Sequence, residues 1–193
     1  MSTKVIVYVI VSVVVIWSLD SEGTLIISGE GEYDITYCDA PWKAYGENIK
    51  NVVIEEGITN VASNSFDELP NAVTLSIPST VASIEPYYNN GFAEIKVADR
   101  NNYYSVIDGV LFNHDKTELI MYPAKKADET YTVPDGVTIL GSYAFYLSEN
   151  LKTVNISDDV TTIKVSCFEY SSVENINFGK NVEVIESNAF ARA

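Results

Sequence analysis

The sequence has one histidine, His114, and two cysteines, Cys38 and Cys167; methionine and tryptophan occur twice each, and leucine is sparse. Each scarcity excludes something. A lone histidine cannot build a His-rich metal site, and no GxSxG or HExxH accompanies it to suggest a hydrolase. It sits in Asn113-His114-Asp115-Lys116-Thr117, which reads as an exposed turn. Two distant cysteines with no CxxC form no disulfide framework and read as unpaired thiols. No P-loop, GxGxxG or EF-hand loop occurs, so no cofactor is implied. The Asp158-Asp159 pair offers too few oxygens for calcium and reads as a polar turn. Basic residues are also few. Twelve Lys+Arg against 27 Asp+Glu leave a net charge of −15. Without clustered cations there is no phosphate-binding surface, so nucleic acid is excluded as a partner.

What is present is apolar and β-forming. Apolar residues make up 47% of the chain, valine and isoleucine are abundant, and there are 13 tyrosines. That composition excludes a disordered chain and favours strands. Met1-Ser2-Thr3-Lys4 precedes an apolar run from Val5 to Trp17, broken only by Ser12. The run is shorter than the roughly 20 residues of a membrane-spanning helix. One lysine before such a run fits a secretory signal or anchor, although no small-x-small cleavage site follows. Its β-branched residues equally fit a capping strand. Next, Asp20-Ser21-Glu22-Gly23 is a turn, and Trp17, Leu19, Leu25 and Ile27 share one face of the hairpin it would close.

From Ile49 onward the chain repeats. Apolar residues fall at Leu151, Val154, Ile156, Val160, Ile163 and Phe168; a shift of 22 gives Val173, Ile176, Phe178, Val182, Ile185 and Phe190. The series recurs at Ile49, Val52, Ile54, Ile58, Val61 and Phe66, and at Tyr131, Val133, Val137, Leu140 and Phe145. A further copy runs through Leu75, Ile77, Val81 and Ile84 and then meets Asn89 where phenylalanine is expected. Five copies follow one template. Its first three positions bracket a short strand. Turn residues such as Pro134-Asp135-Gly136 follow, then a second extended stretch. Segments of the Ser142-Tyr143-Ala144-Phe145 kind read as helical or 3-10 turns with Phe inward. One copy cannot bury six apolar residues, but stacked copies can. The fold class is therefore a β-rich repeat solenoid of leucine-rich-repeat type. Ile107-Asp108-Gly109-Val110 adds a hairpin insert, with Val106, Val110, Phe112, Leu119 and Met121 as its apolar face.

Tyr131 to Phe145 (YTVPDGVTILGSYAF) resembles the BspA-type leucine-rich repeats of bacterial and protist surface proteins. Tyr104 to Asn113 (YSVIDGVLFN) with Asp115 to Pro123 (DKTELIMYP) is similar to a hairpin insert of that family, and Trp17 to Gly29 (WSLDSEGTLIISG) to its lead-in. Cys167 takes the place of Ala144 and Ala189. The chain divides into an apolar N-terminal segment (1–16), a hairpin cap with an irregular lead-in (17–48), and a solenoid (49–193) with a hairpin insert (98–129). The resemblance implies an exported, non-catalytic binding or adhesion module, secreted or at the cell surface. Its partners would be host matrix proteins such as fibronectin or fibrinogen. Membrane contact would come only through an N-terminal signal or anchor. A spacer or self-assembling fragment of a longer surface protein is the alternative.

The outward strand positions are Asn51, Thr74, Thr130, Thr153 and Asn175, and, two residues on, Val53, Ser76, Thr132, Asn155 and Asn177. They read as one polar, uncharged ladder. It suits either protein or glycan binding, or simple solubility with hydrogen bonds between rungs. Tyr87, Tyr88, Tyr103, Tyr104, Tyr122, Tyr143 and Tyr146 form a second candidate, as an interface or as packing. Asn155-Ile156-Ser157 is a glycosylation sequon, but it lies on a strand. Cys167, beside an inward Phe168, is expected to be buried and inert.

Overall fold

Six inward positions per copy dictate a stack of parallel rungs. The computed structural model shows that stack and describes residues 4–10, 13–32, 40–62, 65–85 and 91–193, with the backbone alone for 4–10 and 13–14. Cys38, Tyr87, Tyr88 and Asn89 lie outside the described residues.

The apolar N-terminal run is extended. Strands β1 (Lys4–Ile10) and β2 (Val13–Leu19) pair antiparallel, and β2 pairs antiparallel with β3 (Thr24–Gly29). Trp17 faces Ile27 and Leu19 faces Leu25, as alternation predicts. Among the described residues no helix is long and apolar enough to cross a membrane. A 3-10 helix (Lys43–Asn48) follows, and the Trp42 indole N–H beside it donates to the Ser65 carbonyl at 2.7 Å, tying the lead-in to the solenoid.

The long strands β4 (Asn51–Ile54), β6 (Thr74–Ile77) and β8 (Glu94–Val97) continue from β3 in parallel, completing a six-stranded sheet. The inward rows are in register: Leu25 pairs with Val52, Val52 with Leu75, and Leu75 with Ile95. The shorter β5 (Asn60–Val61) and β7 (Ser83–Ile84) pair beside them. After the insert strands β9 (Tyr104–Ile107) and β10 (Val110–Asn113) comes β11 (Glu118–Met121). The long strands β12 (Thr130–Thr132), β14 (Thr153–Asn155) and β16 (Asn175–Asn177) form a separate three-stranded sheet. The short β13 (Ile139–Leu140), β15 (Thr162–Ile163) and β17 (Val184–Ile185) stack in parallel on β11.

The count of five copies becomes six. Phe92, Ile95 and Val97 repeat the spacing of Ile49, Val52 and Ile54, and Ile95 and Val97 pair with Leu75 and Ile77. That copy is interrupted by β9 and β10. It resumes at β11, where Leu119 pairs with Leu140. Tyr122 then takes the phenylalanine slot: its ring stacks on Phe145 at 5.4 Å, as Phe145 stacks on Phe168 at 4.7 Å and Phe168 on Phe190 at 5.4 Å. The backbone agrees, with Tyr122 N–H donating to Ala144, Phe145 N–H to Cys167 and Phe168 N–H to Ala189. The sequence template misses this copy because the insert splits it and because polar Asn101 stands where Val81 stood. Asn101 is buried, and its amide donates to the Pro78 and Val81 carbonyls, which offsets the cost of its burial.

The insert also divides the interior. Leu111 packs in the core that runs from Val15 to Ile95, whereas Val110 and Phe112 pack in the core that runs on to Ala189. Strand alternation sends neighbours to opposite faces, so β10 is a wall covered on both sides. Met121 does not share a face with Val110, Phe112 and Leu119 because the register shifts between Leu111 and Phe112; Met121 pairs and packs with Leu111 in the first core.

The phenylalanine segments are chained turns, not helices. Tyr143, Ser166 and Asn188 have φ of 59°, 53° and 58°, and Leu147, Tyr170 and Arg192 have φ of 54°, 57° and 57°. A left-handed residue at each end stops a helix from forming. The N–H groups of these residues donate to the next copy, Tyr143 to Val165, Leu147 to Glu169, Ser166 to Ser187 and Tyr170 to Ala191.

Candidate functional site

The ten ladder positions do not form one ladder. Asn51, Val53, Thr74 and Ser76 lie on the first sheet, and Thr130, Thr132, Thr153, Asn155, Asn175 and Asn177 on the three-stranded sheet. Between them β8 puts Glu94 opposite Thr74 and Lys96 opposite Ser76, and these two form an ion pair at 3.2 Å. The face is thus not uncharged throughout. Beyond β8 the stack of long strands stops, because the Gly109 carbonyl of the insert turn accepts the Ile95 N–H at 3.1 Å. The turn itself is the expected Asp-Gly type, with φ of 49° and 76° at Asp108 and Gly109 and Ile107 paired with Val110. Glu94 and Lys96 were legible from the alternation of Glu94-Ile95-Lys96-Val97.

The two faces differ in what they leave available. On the three-stranded sheet the Asn177 amide donates to Asn155 Oδ1 at 2.7 Å and the Asn155 amide to Thr132 Oγ1 at 3.1 Å. This row is satisfied by its own rungs. On the first sheet Thr74 Oγ1 donates to Asn51 Oδ1 at 2.7 Å. The parallel row, Val53, Ser76 and Lys96, lines an open groove of about 650 Å³ that continues past Glu56 to Pro78. The groove rim is acidic. Glu56 accepts from the Ser79 N–H at 3.0 Å and the Ser79 hydroxyl at 2.9 Å, and these bonds hold its carboxyl below the usual range.

The tyrosines fall into three places. Tyr122 belongs to the core rather than the surface, its ring 5.1 Å from Tyr131. The Tyr104 hydroxyl accepts from the Ile84 N–H at 2.9 Å, and burial raises its pKa. Tyr143 and Tyr146 meet edge to face at 5.8 Å, and Tyr146 meets Tyr170 at 5.7 Å with the Arg192 guanidinium 4.9 Å above Tyr170. Tyr170 was not among the expected residues; its position in the same turn one copy later was the available signal.

His114 is exposed in its turn, and its N–H donates to the Tyr103 carbonyl. Cys167 is a free, fully buried thiol, and burial pushes its pKa up. The Asp158-Asp159 pair joins copies: Asp158 Oδ2 meets Lys180 Nζ at 2.7 Å, and Asp159 Oδ2 accepts from the Gly136 N–H at 2.8 Å. Among the described residues no group of three or more His, Cys, Asp or Glu is placed to hold a metal ion.

The architecture is that of a leucine-rich-repeat β-solenoid. The BspA type Leucine rich repeat region matches residues 44–128 and 125–193 in 6 copies, and the chain belongs to that family. No curated protein matches the chain significantly. Among solved structures it is similar to the pneumococcal vaccine antigen PcpA, at 13% identity and a TM-score of 0.54, over 94% of this chain and 78% of that one. A leucine-rich repeat protein from Eubacterium ventriosum aligns at 16% identity and a TM-score of 0.38, over 98% and 95% of the two chains. A leucine rich cell surface protein from Faecalibacterium prausnitzii aligns at 15% identity and a TM-score of 0.48, over 92% and 77%.

Proposed function

We propose that this chain is a non-catalytic binding and adhesion module of an exported, bacterial-type surface protein, and that it takes protein or glycan ligands on the outer face of its first sheet. The observation that carries this reading is the open groove over Val53, Ser76 and Lys96. Its row presents Val53 and Ser76 beside the Lys96–Glu94 ion pair, while the Thr132–Asn155–Asn177 row spends its amides on itself. Solenoid faces present such extended surfaces without needing an enclosed pocket. The family and the shared fold of a pneumococcal vaccine antigen support a place at the cell surface. Host matrix proteins such as fibronectin or fibrinogen are the first ligands to test.

The experiment is a pull-down of the chain against fibronectin, fibrinogen and a glycan panel. Val53→Arg with Ser76→Arg removes capture, and Asn155→Arg with Asn177→Arg leaves most of it. Capture that survives all four changes eliminates the strand faces.

A further inference from the structure

The lead-in segment holds a second groove, of about 590 Å³, away from the strand face and within the usual range for small-molecule sites of about 300–1,000 Å³. Its apolar lining comes from Trp17, Leu19 and Tyr45, the two rings lying 5.6 Å apart. The indoles of the lead-in differ in one respect. Trp42 donates its N–H to the Ser65 carbonyl at 2.7 Å, but the Trp17 N–H has no hydrogen-bond partner although Trp17 is only 1% exposed. A buried donor left unmade is costly, so an acceptor brought to it is favoured.

The rim narrows the class of acceptor. Asp20, Glu22 and Glu47 face a single cation, Lys50, so an anion is repelled. The Asp20 carboxyl is held below the usual range, first by the Thr24 N–H, and stays ionised at neutral pH. Glu47 spends one carboxylate oxygen on the Asn71 amide at 3.3 Å. The site thus supplies one buried donor, several carboxylate acceptors and an aromatic wall. A ligand that fits must offer oxygens that both accept and donate, together with an apolar face. Hydroxyl groups do both.

We propose that this groove binds a neutral saccharide, with a ring oxygen or hydroxyl accepting from the Trp17 N–H, other hydroxyls donating to Glu22 and Glu47, and the sugar's C–H face against Tyr45. The Trp17 N–H has no accessible surface in the closed groove, so the sugar oxygen reaches it only as Tyr45, whose ring lies 5.6 Å from the Trp17 ring, moves aside, and the tryptophan emission reports that movement.

The test is titration calorimetry and tryptophan fluorescence on the whole chain. The probes are galactose, N-acetylglucosamine and cellobiose as neutral sugars, glucuronate as an anion and butylamine as a cation. A neutral sugar binds saturably and glucuronate more weakly. Glu22→Gln with Glu47→Gln, both exposed and tolerated by the fold, weakens sugar binding at least about tenfold, equivalent to about 1.4 kcal/mol. Trp17→Phe does the same while keeping a smaller aromatic ring in place. Asn155→Arg with Asn177→Arg, and Val53→Arg with Ser76→Arg, leave it unchanged, so this site fails or stands apart from the strand face. The proposal is overturned if no neutral sugar binds, if butylamine binds in its place, or if the rim variants bind sugar as the parent does.

Discussion

Leu111 and Phe112 are consecutive, both fully buried, and belong to different cores. Their partners across the hairpin divide in the same way. Leu111 pairs with Met121 in the first core and Phe112 with Leu119 in the second, through a register shift between them. One strand thus serves two stacks. Replacing Leu111 by Ala is expected to cost about 2–5 kcal/mol and Phe112 by Ala about 3–5 kcal/mol. Urea unfolding measures the totals. Native-state hydrogen exchange separates them: Leu111→Ala loosens residues 51–97 first, and Phe112→Ala residues 130–190. Equal loss of protection in both regions after either change counts against two cores.

Cys167 fills a slot held by Ala144 and Ala189, all three buried. Cys167→Ala should cost only about 1 kcal/mol, as a small cavity does, and Cys167→Ser more, since a hydroxyl there needs a partner. Burial raises the thiol pKa, so little thiolate forms at pH 8. In a Cys38→Ser background, a thiol reagent at pH 8 should react at the unfolding rate. Fast labelling of the folded protein contradicts this burial.

The copies are tied by carboxylates whose pKa values are lowered. Asp158 is lowered by the Lys180 side chain and N–H, and Glu56 by the Ser79 N–H and hydroxyl. With the folded value below the unfolded one, the unfolded chain binds more protons in the acid range. Their stabilisation is present above the unfolded values, near 3.8 for Asp and 4.5 for Glu, and is lost as pH falls through the folded values. Melting temperature should therefore fall on acidification below about pH 4.5. Asp158→Asn with Glu56→Gln should flatten that fall, and thermal scans from pH 6 to pH 2.5 read it directly.

Two backbone positions ask for opposite changes. Lys116 is exposed in the β10–β11 turn with φ of 59°, and Lys116→Gly should stabilise by about 0.5–1 kcal/mol. Gly57 has φ of 107°, and a Cβ there would lie 2.3 Å from the Gly29 carbonyl oxygen. Gly57→Ala should cost more than about 1 kcal/mol and break the Gly31 N–H bond to the Gly57 carbonyl. Chemical denaturation of both variants checks the signs.

Local spacing made much of this protein legible in advance. Residues three and then two apart, such as Leu151, Val154 and Ile156, encode which side chains turn inward whatever their neighbours do. The same holds for the Asp108-Gly109 turn, the alternation of Trp17 with Leu19 and Leu25 with Ile27, and the burial of Cys167. These features depend on backbone geometry over a few residues. The tertiary structure decided the rest: that Gly109 ends the first stack of long strands at Ile95, that Tyr122 takes a phenylalanine's place, that Leu111 and Phe112 part company, and that the Trp17 N–H is buried without a partner. Each of these turns on which groups from distant rungs meet, and hydrogen bonds across 20 or more residues are chosen by the packing of the whole stack.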